Sequence, residues 1–320
     1  MIVDTCAHVW DNPEQLGPWA AERLRREQTE PWQRPHPTPQ TLAAALEPIS
    51  FALIHGFHSR LLEAEVPLDR ITAFISAAPG KCLGIAGIDP MEPSWAERLD
   101  EAVEAGMVGV NISPAAQGFH PCHSEAMMLY ERCEQEGLLL YLEPRVGMAP
   151  QVVMSFADPS HLDEVARTFP TLRMVIGGLG HPWVEPTLML LRKHEHVWAD
   201  LAGLVDKPWP LYQAILLARQ HRVLERVLLA SGFPCCRPEQ AVGNLYSINN
   251  FALGTQLPTI ARELLRQIVE RDALSQLNLR PPAEDALAQD NGRDRIPTSI
   301  EAPGPRPPTT SESTEDADAS

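Results

Sequence analysis

The chain has 320 residues, 31 of them proline, and a net charge of −16 from 42 acids against 26 bases. Hydrophobic residues make up 44% and charged residues 21%, a balance that supports a sizeable core. With only three lysines (Lys81, Lys193, Lys207), so acidic a surface repels phosphate backbones and anionic headgroups, which argues against nucleic acid and membrane as partners. Division by ~150 residues per domain would suggest two domains, whereas a (β/α)8 barrel uses roughly 250 as one unit.

The first residues, MIVDTCAHVW, read at once as a strand, with no basic region or apolar signal core before it; a cytoplasmic protein is expected. Further strands are expected at Phe51–His55, Leu83–Ile88, Val108–Ile112, Leu138–Leu142, Arg173–Ile176, Val197–Leu201 and Val227–Ala230, after a first one at Ile2–Thr5. These are near-continuous apolar runs, the mark of parallel strands covered on both faces. Amphipathic stretches lie between them: Ser94–Glu104, Ser124–Glu136, Leu162–Thr168, Glu185–Lys193 and Pro210–Gln220. Most strand spacings fall between 24 and 34 residues, and the first gap, 49 residues, carries a Pro- and Trp-rich insertion, Asp11–Pro39. Trp10, Trp19 and Trp32 with the adjoining prolines are expected to form a lid or interface over one end of the fold.

Eight such units in alternation predict an α/β protein with one closed (β/α)8 barrel over residues 1–280. Pro258–Leu279 reads as a last helix or helix pair on the outside. Residues 281–320 hold seven prolines and nine acids against three arginines, a charge of −6 that leaves −10 on the rest. Such a segment buries too little apolar surface to offset its ordering entropy, so a disordered Pro-rich acidic tail is expected. The six cysteines show no CxxC pair and read as reduced thiols; adjacent Cys235 and Cys236 rarely reach disulfide geometry.

Working residues of such a barrel come from the C-terminal strand ends. Those positions hold Cys6 and His8, His55, Asp89, Asn111 and Ser113, Glu143, His181 after Gly177-Gly178, Asp200, and Ser231-Gly232. Residues 6 and 8 of one strand share a face, so Cys6 and His8 can converge on one ligand. Other polar residues read as structural. Asp200 orients loop backbone, HSRLL at His58 begins a solvated loop, and His120 and His123 sit on a surface turn. Gly177–Gly180 lacks the spacing and lysine of a P-loop.

Seven stretches, IVDTCAHVW, GMVGVNISPAAQGFHP, LYERCEQEGLLLYLE, FPTLRMVIGGLGHPW, HVWADLAG, RVLLASGFP and IVERDALSQLNL, make the chain resemble the amidohydrolase-related (amidohydrolase-2) family in order and spacing. The resemblance covers about residues 1–280 and implies a metal-dependent hydrolase, or a decarboxylase-like lyase, acting on a small polar molecule. It also shows what has changed. The family opens Asp-Thr-His-x-His, and here the first histidine is Cys6 while His8 remains. Lys-Leu-His-Pro becomes Asn111-Ile112-Ser113-Pro114, the strand-5 histidine becomes Glu143, the strand-6 histidine becomes Gly178, and the strand-8 aspartate becomes Gly232.

A hydrolytic metal site needs about three protein ligands and an open position, so the standard family site is not expected. Two readings remain. In the first the protein is a divergent hydrolase or lyase in which Glu143, His8 and His181 are catalytic and Cys6, His55, Asn111, Ser113, Asp200 and Ser231 line the pocket. A divalent ion (zinc) at a rebuilt Cys6–His8–Glu143 site, or no ion at all, both fit it. In the second reading it is an inactive pseudo-amidohydrolase that binds a ligand or pairs with an active homologue, with spare room left at Gly178 and Gly232. A homodimer is the expectation for its assembly.

Overall fold

The structure, a computed structural model, describes residues 1–27, 37–144 and 149–281. Ten strands occur among the described residues: β1 (Val3–His8), β2 (Phe51–His55), β3 (His58–Ser59), β4 (Ala64–Glu65), β5 (Cys82–Gly87), β6 (Gly109–Ile112), β7 (Leu139–Leu142), β8 (Met174–Ile176), β9 (Val197–Asp200) and β10 (Val227–Leu228). Eight pair in parallel in the order β1-β2-β5-β6-β7-β8-β9-β10. The ring closes where Thr5 N–H donates to Leu229 O (3.0 Å), Gly232 N–H to Cys6 O (3.0 Å) and His8 N–H to Phe233 O (2.7 Å). Helices alternate with the strands, so the fold is the expected (β/α)8 barrel.

Period-2 alternation sorts the strand residues into two cores. Ala52, Ile54, Ala86, Val110, Leu140, Leu142 and Ile176 face outward and pack under the helices. Val3, Cys6, Leu53, Leu83, Ile85, Leu139, Tyr141, Val175 and Leu228 face inward and fill the barrel. The pairing of β1 with β2 shifts register between Asp4 and Ala7. Such a bulge re-aims side chains, and here both Val3 and Cys6 reach the inner core although an odd number of steps separates them.

Two expectations are corrected. The C-terminal stretch is a helix pair, but only Arg262–Val269 packs outside, through Leu265, Ile268 and Val269. Ala273–Gln276 places Ala273, Leu274 and Leu277 in the inner core, where they plug the barrel's other end. The segment at His58 is no solvated loop: β3 pairs with β4, and Ser59 Oγ donates to Ala116 O at 2.7 Å while accepting from Leu62 N–H. Leu62 and Ala64 pack with Phe57 and Ala116 as a small third core. The insertion after β1 holds a helix at Pro18–Glu27; Trp10 is buried, Trp19 is exposed, and Trp32 lies outside the described residues. The tail expected at 281–320 also lies outside them beyond Pro281. No helix among the described residues is long and apolar enough to cross a membrane.

Candidate functional site

The bulge in β1 and the end of β7 bring three side chains together at the C-terminal rim. His8 Nε2 lies 2.8 Å from Glu143 Oε1 and 3.3 Å from Cys6 Sγ. One donor atom from each of Cys6, His8 and Glu143 falls within 4.8 Å of the others. Cys6 is fully buried and Glu143 nearly so, whereas His8 is half-buried and forms the accessible member. Glu143 also lines a cavity of about 20 Å³, roughly one water, whose walls include Pro114, Leu142, Phe156 and Pro159.

Beneath this group lies a buried network. His55 Nε2 donates to Thr5 O (2.9 Å), and its ring stands edge-on to Tyr141 with centroids 4.3 Å apart. Tyr141 donates its hydroxyl to Asp200 Oδ2 at 2.6 Å. Thr5 Oγ1 also reaches that oxygen (3.2 Å), while Gly178 N–H and Ala202 N–H donate to Asp200 Oδ1 at 2.9 and 3.0 Å. One carboxylate therefore ties together the ends of β1, β7, β8 and β9. Burial raises the Asp200 pKa against these hydrogen bonds, and burial followed by the Asp200 charge raises that of Tyr141. Burial, then Glu143 and Asp200, push the Cys6 thiol well up, which favours its protonated form.

Asp4 closes the barrel on the far side of β1. Its Oδ1 accepts from Ser231 N–H (2.9 Å) and Cys6 N–H (3.2 Å), and its Oδ2 accepts from Ser231 Oγ (2.6 Å). Ser231 Oγ in turn accepts from Phe233 N–H at 3.0 Å, so this hydroxyl serves the β1–β10 seam and not a ligand. Burial is the largest influence on Asp4 and carries its pKa to about 6 from 3.8. A raised carboxyl pKa means the fold favours the protonated form. Its share of stability is complete below the unfolded value and is lost as pH rises through about 6, on the order of 3 kcal/mol in total. Asp4→Asn is therefore expected to gain on wild type by about 1–3 kcal/mol between pH 4 and pH 7.5 in urea unfolding. A constant difference across that range would contradict the assignment.

Of the other expected site residues, His55 and Asp200 join the network described above, and Asn111 and Ser113 are fully buried beside β7. His181 stands apart: its N–H donates to Gly178 O, partial burial and then the Lys207 charge lower its pKa, and no contact among the described residues links it to Cys6, His8 or Glu143. Asp89 directs loop backbone, accepting from Arg60 N–H and Met91 N–H. His123 caps the helix Ser124–Glu136, and His120 packs edge-on against His161. The expectation of spare room at Gly178 and Gly232 is overturned. Both have positive φ (58° and 66°), and a Cβ on Gly178 would lie 2.6 Å from Ala202 O. Backbone geometry requires glycine there.

Sequence reasoning missed Tyr141, Thr5 and Asp4. Tyr141 carried a signal, standing two residues before Glu143 and hence on the same strand face. Thr5 and Asp4 carried none, because the β1 bulge sets where they point.

The resemblance carried by the sequence stretches implies a metal. Thiolate, imidazole and carboxylate are all zinc donors, and three within 4.8 Å fit one divalent ion with a position left open. The strongest influences on the Cys6 thiol after burial are acids, an environment that favours a cation.

The pattern of the family described as Amidohydrolase matches residues 3–273. No curated protein matches the chain. Among solved structures, an uncharacterised TIM-barrel protein from Bordetella bronchiseptica is similar at 18% identity and a TM-score of 0.65, over 87% of this chain and 99% of that one. A probable 2-pyrone-4,6-dicarboxylic acid hydrolase from Acinetobacter baumannii gives 15% and 0.55 over 87% and 99%. A 2,6-dihydroxybenzoate decarboxylase from Rhizobium gives 14% and 0.59 over 87% and 98%. At these identities the likeness shows the fold.

Proposed function

The chain belongs to the amidohydrolase family, and from that premise we propose that it is a divergent hydrolase, or a decarboxylase-like lyase, acting on a small polar substrate in the barrel mouth. The observation that carries the reading is the 2.8 Å contact between His8 Nε2 and Glu143 Oε1 at the C-terminal rim. A catalytic acid or base must stand within hydrogen-bond reach of the proton it handles, and this pair holds one proton between its two members. His8, the accessible member, takes a proton from the substrate at its other ring nitrogen as the Nε2 proton moves to Glu143. Glu143, held among apolar walls, receives it and orients the ring. Cys6 Sγ stands against the same Nε2 at 3.3 Å, and the Asp200 network keeps β1 and β7 in register. His181 keeps its proposed place at the entrance. The names carried by the similar barrels, a 2-pyrone-4,6-dicarboxylic acid hydrolase and a 2,6-dihydroxybenzoate decarboxylase, support small ring substrates.

A divalent ion, when bound, would be held by Cys6, His8 and Glu143 and would supply Lewis-acid polarisation and a bound water of lowered pKa. Proton transfer by the side chains alone predicts that chelator dialysis, leaving zinc and manganese below about a tenth of an equivalent, changes turnover less than about twofold. Loss on chelation with recovery on adding zinc would reassign His8 and Glu143 from proton transfer to ligation. The test of the reading itself is a screen of lactones, amides and hydroxybenzoates: wild type turns over at least one class, and a screen without turnover contradicts it.

A second reading, a barrel that binds a ligand or an active homologue without turnover, is favoured by the missing side chains at Gly178 and Gly232, where the family motif has histidine and aspartate. It predicts co-purification with such a homologue, whereas the enzyme reading predicts a self-sufficient chain that pairs, if at all, with its own copy. A cytoplasmic location goes with either and is supported by the cysteine pattern, which reads as free thiols.

A further inference from the structure

The proton transfer proposed above ends with a proton on Glu143, a carboxyl that is nearly buried. Before the next turnover that proton must leave, and opening a lactone to its carboxylate releases one proton overall. Glu143 is the one residue common to the reactive group and to the cavity of about 20 Å³ beside it. That volume exceeds the ~10–15 Å³ that one water needs, and a water stays where polar groups face it. Apolar side chains, among them Leu142, Phe156, Leu162 and Ile176, make most of the wall. Two of the lining residues carry carboxyl groups, Glu143 and Asp158.

The two acids differ in exposure, which gives the cavity a direction. Glu143 is buried just after β7, whereas Asp158 is partly exposed, as are Phe156 and Ala157 before it. Both ends are held in place. Glu143 N–H donates to Ile112 O at 2.9 Å. Asp158 Oδ1 accepts from Ser160 N–H (2.9 Å), and its carbonyl accepts from His161 N–H (3.2 Å). The wall leading to Asp158 is tied to the barrel, since Val153 N–H donates to Ala115 O (3.3 Å) and the Phe156 ring stands edge-on to His120 with centroids 5.8 Å apart. A carboxylate has about four acceptor sites, so the bond from Ser160 leaves Asp158 able to bind a water as well.

We infer that a water in this cavity links Glu143 to Asp158, and that this chain is the route by which the reactive pair exchanges its proton with solvent. Glu143 gives its proton to the water oxygen, the water gives one of its own to the Asp158 carboxylate, and Asp158 gives that proton to bulk water. The water is regenerated, Glu143 returns to the carboxylate, and one proton has crossed. The reverse sequence supplies a proton where the reaction consumes one, as in a decarboxylation. A substrate in the mouth covers the accessible side of His8, and a route on the Glu143 side works while the mouth is occupied. Asp158 touches no reacting atom and acts through Glu143. The inference rests on the His8–Glu143 pair being the reaction centre proposed above and adds how its proton comes and goes.

The test is the rate at which the His8 Nε2 proton exchanges with water, followed by NMR on the full chain carrying isotope-labelled histidine, with the signal assigned by its loss in His8→Ala. Ala157→Leu fills the cavity, and Asp158→Asn removes the outer acid while keeping an acceptor for Ser160 N–H and hence the turn. Each is expected to slow exchange at least about tenfold, the cost of roughly one lost hydrogen-bonded step. Asp158→Asn keeps the test valid should Ala157→Leu fail to fold. On any compound that wild type turns over, both variants should lose about tenfold in kcat at unchanged KM. Added imidazole buffer should restore Asp158→Asn, where it can take the proton from the water, and leave Ala157→Leu slow. A merely structural Asp158 gives no such rescue, so a loss that buffer does not restore in Asp158→Asn overturns the inference. Wild-type exchange in either folded variant overturns it too, as does a crystal structure with no water in the cavity within hydrogen-bond reach of Glu143. Slowed exchange without turnover of any compound would remove the enzyme reading and leave the route standing; turnover with unslowed exchange would do the reverse.

Discussion

Glu143→Gln is expected to lower turnover about 10²–10⁴-fold, the usual contribution of a positioned acid–base group. The carboxamide keeps the size of the side chain but cannot accept a proton at neutral pH. Its amide can still face His8, so the fold should be retained and the melting temperature should change little. That split between lost rate and kept stability separates a reacting carboxylate from a structural one. The same rate loss holds if an ion is bound, because an uncharged amide is a poor ligand beside a thiolate and an imidazole. A variant within about threefold of wild type would show that Glu143 only holds the His8 ring in place.

The second large effect is structural. Asp200→Ala is expected to destabilise the protein by about 3–5 kcal/mol, a fall in melting temperature of roughly 10 °C for a chain of this size. The carboxylate accepts from Tyr141, Thr5, Gly178 and Ala202 at the ends of four strands. Of these donors Thr5 has a second acceptor in reach, Leu229 O at 3.0 Å, and Tyr141 has the Cys6 thiol beside it. The N–H groups of Gly178 and Ala202 would be left without their acceptor. Asp200→Asn keeps an acceptor for the two backbone N–H groups and should lose less than half as much. Thermal and urea unfolding of the two variants measure this, and a loss below about 1 kcal/mol for the alanine variant would mean that water replaces the carboxylate.

The barrel was legible in the sequence because its strands are buried on both faces. Phe51–His55 and Ser124–Glu136 occur with the expected bounds, since continuous apolar runs and helical periodicity need no long-range information. Errors arose where tertiary contacts decide. The short run around Ala273 looks like an outer helix until the open barrel end it fills is known. HSRLL is polar in composition, yet Ser59 is buried by a backbone acceptor 57 residues away. Within the site, Cys6, His8 and Glu143 could be named from strand ends, but that His8 touches both partners follows from the bulge in β1, which no local pattern announces. Ser231 and His181 show the converse, since both occupy motif positions while their contacts serve the barrel seam and the loop after β8.

The most direct measurement is product formation per folded barrel, followed by NMR over the same panel of lactones, amides and hydroxybenzoates, for wild type, Glu143→Gln and His8→Ala. The account predicts turnover of at least one class by wild type and its loss in both variants at unchanged fold. Equal turnover by all three proteins, or none by wild type, would contradict a reaction centre at Cys6, His8 and Glu143.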